Sequence, residues 1–237
     1  LEIAKTIPFD QDLDAHRPLG ITCAAGWASD KDTPMVWCGR GEHGQIAAAM
    51  SPEEVRSMVR YLQQMTYEGY TLLTFNGAGF DFRCLADDGA DADVCKSLAL
   101  SHIDLFFHLF CLLGYGPGLD RAAKGMGLTG KPDGMDGALA PDMWHRGQYG
   151  QVLHYVAQDV RTTLDLALAV DAAGVLRWTS KAGRPVAVRV ERWLSVTDAL
   201  ELPLPDTSWM KDAWTREKFM GWMGDNSAGL KKKDVSE

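Results

Sequence analysis

No stretch of the chain stays apolar for the roughly 18–20 residues that a membrane-spanning helix needs, and no signal peptide opens it. No CxxC pair occurs either. The five cysteines, Cys23, Cys38, Cys84, Cys95 and Cys111, are an odd and scattered set. That spacing excludes a zinc ribbon and a disulfide framework, and it suits core-filling thiols in a reducing cytoplasm. Positive charge is short as well: 24 Lys and Arg stand against 32 Asp and Glu, a net charge of −8. This is the wrong sign for a protein that wraps nucleic acid by electrostatics alone. An acidic site that binds cations escapes the argument, because bound metal reverses the local sign. The chain also lacks an initiator methionine, opening Leu1-Glu2-Ile3, which places its start inside a longer gene product.

What is present is enough apolar content, 46% of 237 residues, to bury one sizeable core with a small appendage. Leu1 to Ala4 reads as a strand end, and Asp10, Asp12 and Asp14 as a polar loop. Leu19 to Trp27 reads as a buried strand with Pro34 to Cys38 as its hairpin partner. Ser51-Pro52-Glu53-Glu54 is a helix start with a capping box and Pro at the first position. Val55, Met58, Val59, Leu62 and Met65 follow at helical spacing until Gly69. Tyr70 to Phe75 is then a short buried strand, so helix leads to strand as in an α/β sheet. Helices are expected over residues 104–113 and 119–126, and a long one over 148–172. Residues 129–137 are a Gly/Pro/Asp-rich loop, and the Lys-rich end, Leu230 to Lys233, is a tail. Beyond Gly174 tryptophans crowd together, and Trp209, Trp214 and Trp222 are expected to pack a core there rather than stack on a substrate.

Three constellations carry chemistry. Asn76-Gly77-Ala78-Gly79-Phe80-Asp81 follows a strand, at the end where open α/β sheets place ligands. Asp81 there either caps a helix or offers its carboxylate to a site. In Tyr155-Val156-Ala157-Gln158-Asp159 the i, i+4 spacing sets phenol and carboxylate on one helix face, about 5–6 Å apart at Cβ. The alternative is a half-buried tyrosine beside a solvated aspartate. Glu2, between Leu1 and Ile3, is either an acid in a buried strand, which is costly unless paired or metal-bound, or part of an exposed terminus.

Taken in order, the strand acid, the TFNGAGFD segment and YVAQD resemble the DEDD 3′–5′ exonucleases, which are DnaQ-like and RNase H-like, and Tyr155 resembles the tyrosine of their DEDDy branch. LGITCAA, HIDLF, LDRAAKGMGLTGK and GALAPDMW agree, and the order looks most like stand-alone exonucleases of bacteria and their phages. The likeness covers about residues 1–172. It implies an RNase H-like mixed sheet flanked by helices over residues 1–174, with a Trp-rich appendage over 175–237. It implies hydrolysis at the 3′ ends of single-stranded nucleic acid, DNA ahead of RNA, with two divalent cations, Mg²⁺ or Mn²⁺. Glu2, Asp81 and Asp159 would hold the metals, Tyr155 would orient the attacking water, and Asn76 and Phe80 would shape the substrate site. Motif I of the family is Asp-x-Glu, so its Asp would precede Leu1. A second alignment uses Phe9-Asp10-Gln11-Asp12, but that stretch reads as loop. Asp104 is either a further site acid or a helix cap. His154 is expected on another face of its helix, and Lys124, Lys131 and Arg161 are candidates for phosphate contact. A catalytically silent nucleic-acid or protein-binding module is the competing reading.

Overall fold

The computed structural model describes residues 1–8, 10–130 and 137–224. Phe9, Lys131, most of the 129–137 loop and the Lys-rich tail lie outside the described residues.

Three antiparallel strands open the fold: β1 (Glu2–Ile3), β2 (Ile21–Gly26) and β3 (Met35–Cys38), in the order β1-β2-β3. The long helix α1 (Pro52–Tyr67) follows, started by the expected capping box between Ser51 and Glu54. Its chain then leaves through Gly69, whose φ of 95° suits a residue without a Cβ. Next come β4 (Leu73–Thr74), α2 (Asp81–Asp87), α3 (Ala92–Ser101) and β5 (Ile103–Asp104). β4 pairs parallel with β5, so the strands of the molecule are mixed in direction. α4 (Leu105–Leu113), α5 (Leu119–Gly125), α6 (Ala140–His145) and α7 (Tyr149–Ala173) complete the helical layers. The chain ends in the hairpin β6 (Val175–Thr179) and β7 (Pro185–Arg189), then α8 (Val196–Leu200) and α9 (Glu217–Met220).

β2 is buried on both faces, which explains its continuous apolar run. Ile21 and Ala24 join Val55, Met58, Phe82, Leu85 and Leu98 of α1–α3, whereas Cys23 joins Trp144, Val152 and Val156 of α6 and α7. The strand is thereby clamped between helical layers. All five cysteines are buried and unpaired. Burial pushes the thiols of Cys23, Cys84 and Cys95 up to about 12, so they remain protonated core atoms.

The segment after Gly174 is divided in its behaviour. Leu176, Trp178, Val190 and Trp193 are buried with Leu105, Leu109 and Leu166 in one cluster. Gly125 admits this docking, because a Cβ on it would fall 2.0 Å from the carbonyl oxygen of Arg177. The expectation that Trp209, Trp214 and Trp222 pack a core needs correcting for two of the three. Trp209 is 68% and Trp214 49% exposed. Pro203 and Pro205 cannot continue a helix, and the chain from Leu202 to Thr215 runs outside regular structure. Only Trp222 packs, against the α1–α3 cluster.

Candidate active site

The loop between β4 and α2 is built backwards from a buried acid. Asp104, 1% exposed, caps α4 by accepting from Phe107 N. The same carboxylate accepts Asn76 N at 2.8 Å and Ala78 N at 2.9 Å. The helix-cap reading of Asp104 therefore stands, and the cap has a second task that spacing did not reveal: it shapes the loop. Asn76 sits at φ 75°, a left-handed conformation that Asn tolerates better than most residues. A relay completes the support. Gly77 N donates to Thr74 Oγ1, whose hydroxyl donates to His102 Nε2, while His102 Nδ1 donates to Ala99 O. Burial drives the pKa of His102 down, which keeps this ring neutral and fixes that tautomer.

Asp81 stands at the first position of α2, yet Phe80, at the cap position, makes no side-chain capping bond. The Asp81 carboxylate instead accepts the Leu1 α-ammonium at 3.0 Å. Glu2 is anchored through β1, paired with Cys23 of β2.

On α7, Val156, Asp159, Val160, Thr163 and Leu164 line a cleft of about 1500 Å³. Their spacing of three and four is one face of a helix. Glu2, Asn76, Phe80 and Asp81 line the same cleft. Tyr155, one turn before Asp159, is 2% exposed. A Cβ on Gly137 would stand 3.6 Å from the Tyr155 hydroxyl and 4.0 Å from Glu2 Oε2. Phenol and carboxylate thus both come near one point of backbone. Five of the six residues singled out from sequence share the cleft, and the sixth, Tyr155, is not among its lining.

Asp81, Glu2 and Asp159 offer carboxylate oxygens, the donors that Mg²⁺ and Mn²⁺ prefer. Among the described residues, no three Asp, Glu, His or Cys side chains are gathered closely enough to hold a metal ion as they stand. Carboxylates repel one another until a cation screens them.

The surroundings depart from expectation in their cations. Lys124 pairs with Asp120, and Arg161 pairs with Asp165 and lies over Trp27. Neither lines the cleft; the cations that do are Arg17, Lys31, Arg83, Arg121 and Lys218. Arg17 joins Asp14 and Asp87 at 3.0 and 2.7 Å, and Arg83 joins Asp14 at 2.8 Å. In the second alignment considered for motif I, Asp12 accepts from Asp14 N to cap a short 3-10 turn. His154 is exposed, on a different face from Tyr155.

A mixed α/β fold whose cleft is lined by Glu2 of β1, Asp81 of α2 and Asp159 of α7 is the setting of a nuclease-type domain. The comparisons with known proteins name the class: the RNase_H superfamily family model matches residues 35–170, and the chain belongs to that superfamily. No curated protein and no solved structure matches it. No helix among the described residues is long and apolar enough to cross a membrane.

Proposed function

We propose that the chain is a metal-dependent 3′–5′ exonuclease of the DEDDy type, acting in the cytoplasm on single-stranded 3′ ends, DNA ahead of RNA. The observation that carries this reading is that Glu2, Asp81 and Asp159, from three separate parts of the chain, line one cleft.

Glu2, Asp81 and Asp159, with an aspartate preceding Leu1, would hold two Mg²⁺ or Mn²⁺ ions. When bound, the ions supply a hydroxide nucleophile near neutral pH and neutralise the phosphoryl oxygens. The chain's own groups do the rest. Tyr155, its hydroxyl near Glu2 behind Gly137, orients the attacking water and assists its deprotonation. Phe80 flanks the terminal base, a contact that tolerates any base because every base has a π face. Asn76 turns the backbone at the end of β4, shaping the floor on which the terminal nucleotide rests.

A 5′-labelled single strand, incubated with the chain preceded by its motif I aspartate, is expected to shorten from the 3′ end in Mg²⁺ or Mn²⁺ and to survive in EDTA. Asp159→Ala abolishes trimming. Tyr155→Phe slows it by about 100-fold while strand affinity in Ca²⁺ is unchanged. A strand that binds but stays intact with the wild-type protein overturns the proposal in favour of a silent binding module.

A further inference from the structure

The segment after α8 is fastened at three points: to the end of α8, to α4 and to the active-site loop. Arg216 donates to Leu200 O at 2.6 Å and to Leu202 O at 2.7 Å. Phe219, 3% exposed, lies among Phe106, Phe107 and Phe110 at centroid distances of 6.0, 5.5 and 4.7 Å. Trp222 Nε1 donates to Ala78 O, inside the loop that carries Asn76 and Asp81. Gly79 permits this fit, since a Cβ there would meet the Phe219 ring at 3.0 Å.

Two side chains on this anchored segment also face the cleft: Trp214, which meets the Phe219 ring edge-on at 6.2 Å, and Lys218. Trp214 is half exposed. The Lys218 ammonium stands 3.6 Å from the centre of the Trp214 ring. An exposed indole costs apolar surface, and the pair stiffens it in place by a cation–π contact. Phe75, Phe80 and Phe106 line the same cleft, so an aromatic surface runs from Asp81 out to Trp214.

We propose that Trp214 and Lys218 form a subsite for the strand upstream of its 3′-terminal nucleotide: the indole stacks on a base and the ammonium takes a phosphate. The occupant follows from charge. Lys218 offers positive charge in the same cleft as Glu2, Asp81 and Asp159, beside a ring that any base can cover. The inference rests on the exonuclease reading, and it adds to that reading a part played by the C-terminal segment.

The test separates the two. A ten-nucleotide single strand spans the subsite, whereas the p-nitrophenyl ester of thymidine 5′-monophosphate reaches only the reacting centre. Trp214→Ala is expected to raise KM for the strand about tenfold, with kcat/KM for the ester unchanged and Trp214→Phe intermediate. Lys218→Ala is expected to weaken strand binding and to flatten its salt dependence by about one phosphate contact, with Lys218→Arg restoring both. Fluorescence anisotropy of the strand in Ca²⁺ reads affinity without chemistry. Equal strand affinity for wild type and Trp214→Ala overturns the subsite whether or not the protein cuts. If neither substrate is cut but Trp214→Ala still weakens the strand, the exonuclease reading falls and the subsite stands.

Discussion

At the scale of single residues, two buried side chains dominate. Asp104 serves three backbone N–H groups with two oxygens, and a carboxamide in its place would set an NH₂ against one of them. Asp104→Asn is therefore expected to cost about 3 kcal/mol of stability, seen as a lower urea midpoint. Trimming by the remaining folded protein should also fall, because the Asn76 turn loses its tie; full activity per folded molecule would remove that link. His108 is 2% exposed, and burial brings its pKa from 6.5 down to about 4. Between those values the unfolded chain binds the proton and the folded chain does not. Stability is then full above about pH 6.5 and drains as pH falls towards 4, by on the order of 3 kcal/mol. Urea midpoints at pH 7.5 and 5 read this loss, and His108→Leu should flatten it. An unchanged slope in that variant assigns the acid sensitivity elsewhere.

At the scale of elements, α1 shows how a local signal and a tertiary tie share one residue. Glu54 closes the capping box on Ser51 N at 2.7 Å and also accepts Arg40 N, past the end of β3, at 2.9 Å. Ser51→Ala is expected to cost about 1 kcal/mol, and Glu54→Ala more, since it releases the strand connection as well. Equal losses in thermal unfolding would show that the tie to Arg40 contributes nothing. α1 is legible in the sequence because its cap, apolar spacing and stop all agree. α3 is not: it is ten residues long and buries only Cys95, Leu98 and Ala99, a faint stripe. β5 is two residues long, too short for alternation to mark it, and β4, expected over Tyr70 to Phe75, is a strand only at Leu73–Thr74, where it pairs with β5.

At the scale of the molecule, net acidity and a cleft lined by paired cations bear on substrate binding. Arg17, Lys31 and Arg83 are tied to Asp14, Asp87 or Asp30. Among the described residues Arg121 and Lys218 form no ion pair, which leaves them for phosphate. Strand affinity should therefore depend weakly on salt, with a log–log slope of roughly −1 to −2. A slope several times steeper, measured by anisotropy between about 50 and 200 mM salt, would demand a basic surface that the described residues do not present.

By itself the sequence determined the elements on which the candidate residues ride. Asp81 after a strand, and Tyr155 and Asp159 four apart on a helix, are local patterns with local geometry, and local geometry is written in spacing. Tertiary structure alone decided what meets across the chain. Gly137 comes near both the Tyr155 hydroxyl and Glu2, Asp104 holds a loop 26 residues upstream through Ala78, and Trp222 fastens the C-terminal segment to that same loop. Such contacts depend on packing between distant segments, and no spacing along the chain encodes them. The exposure of Trp214 is the clearest case: composition favours burial of an indole, and only the path of the chain past Pro203 and Pro205 leaves it facing the cleft.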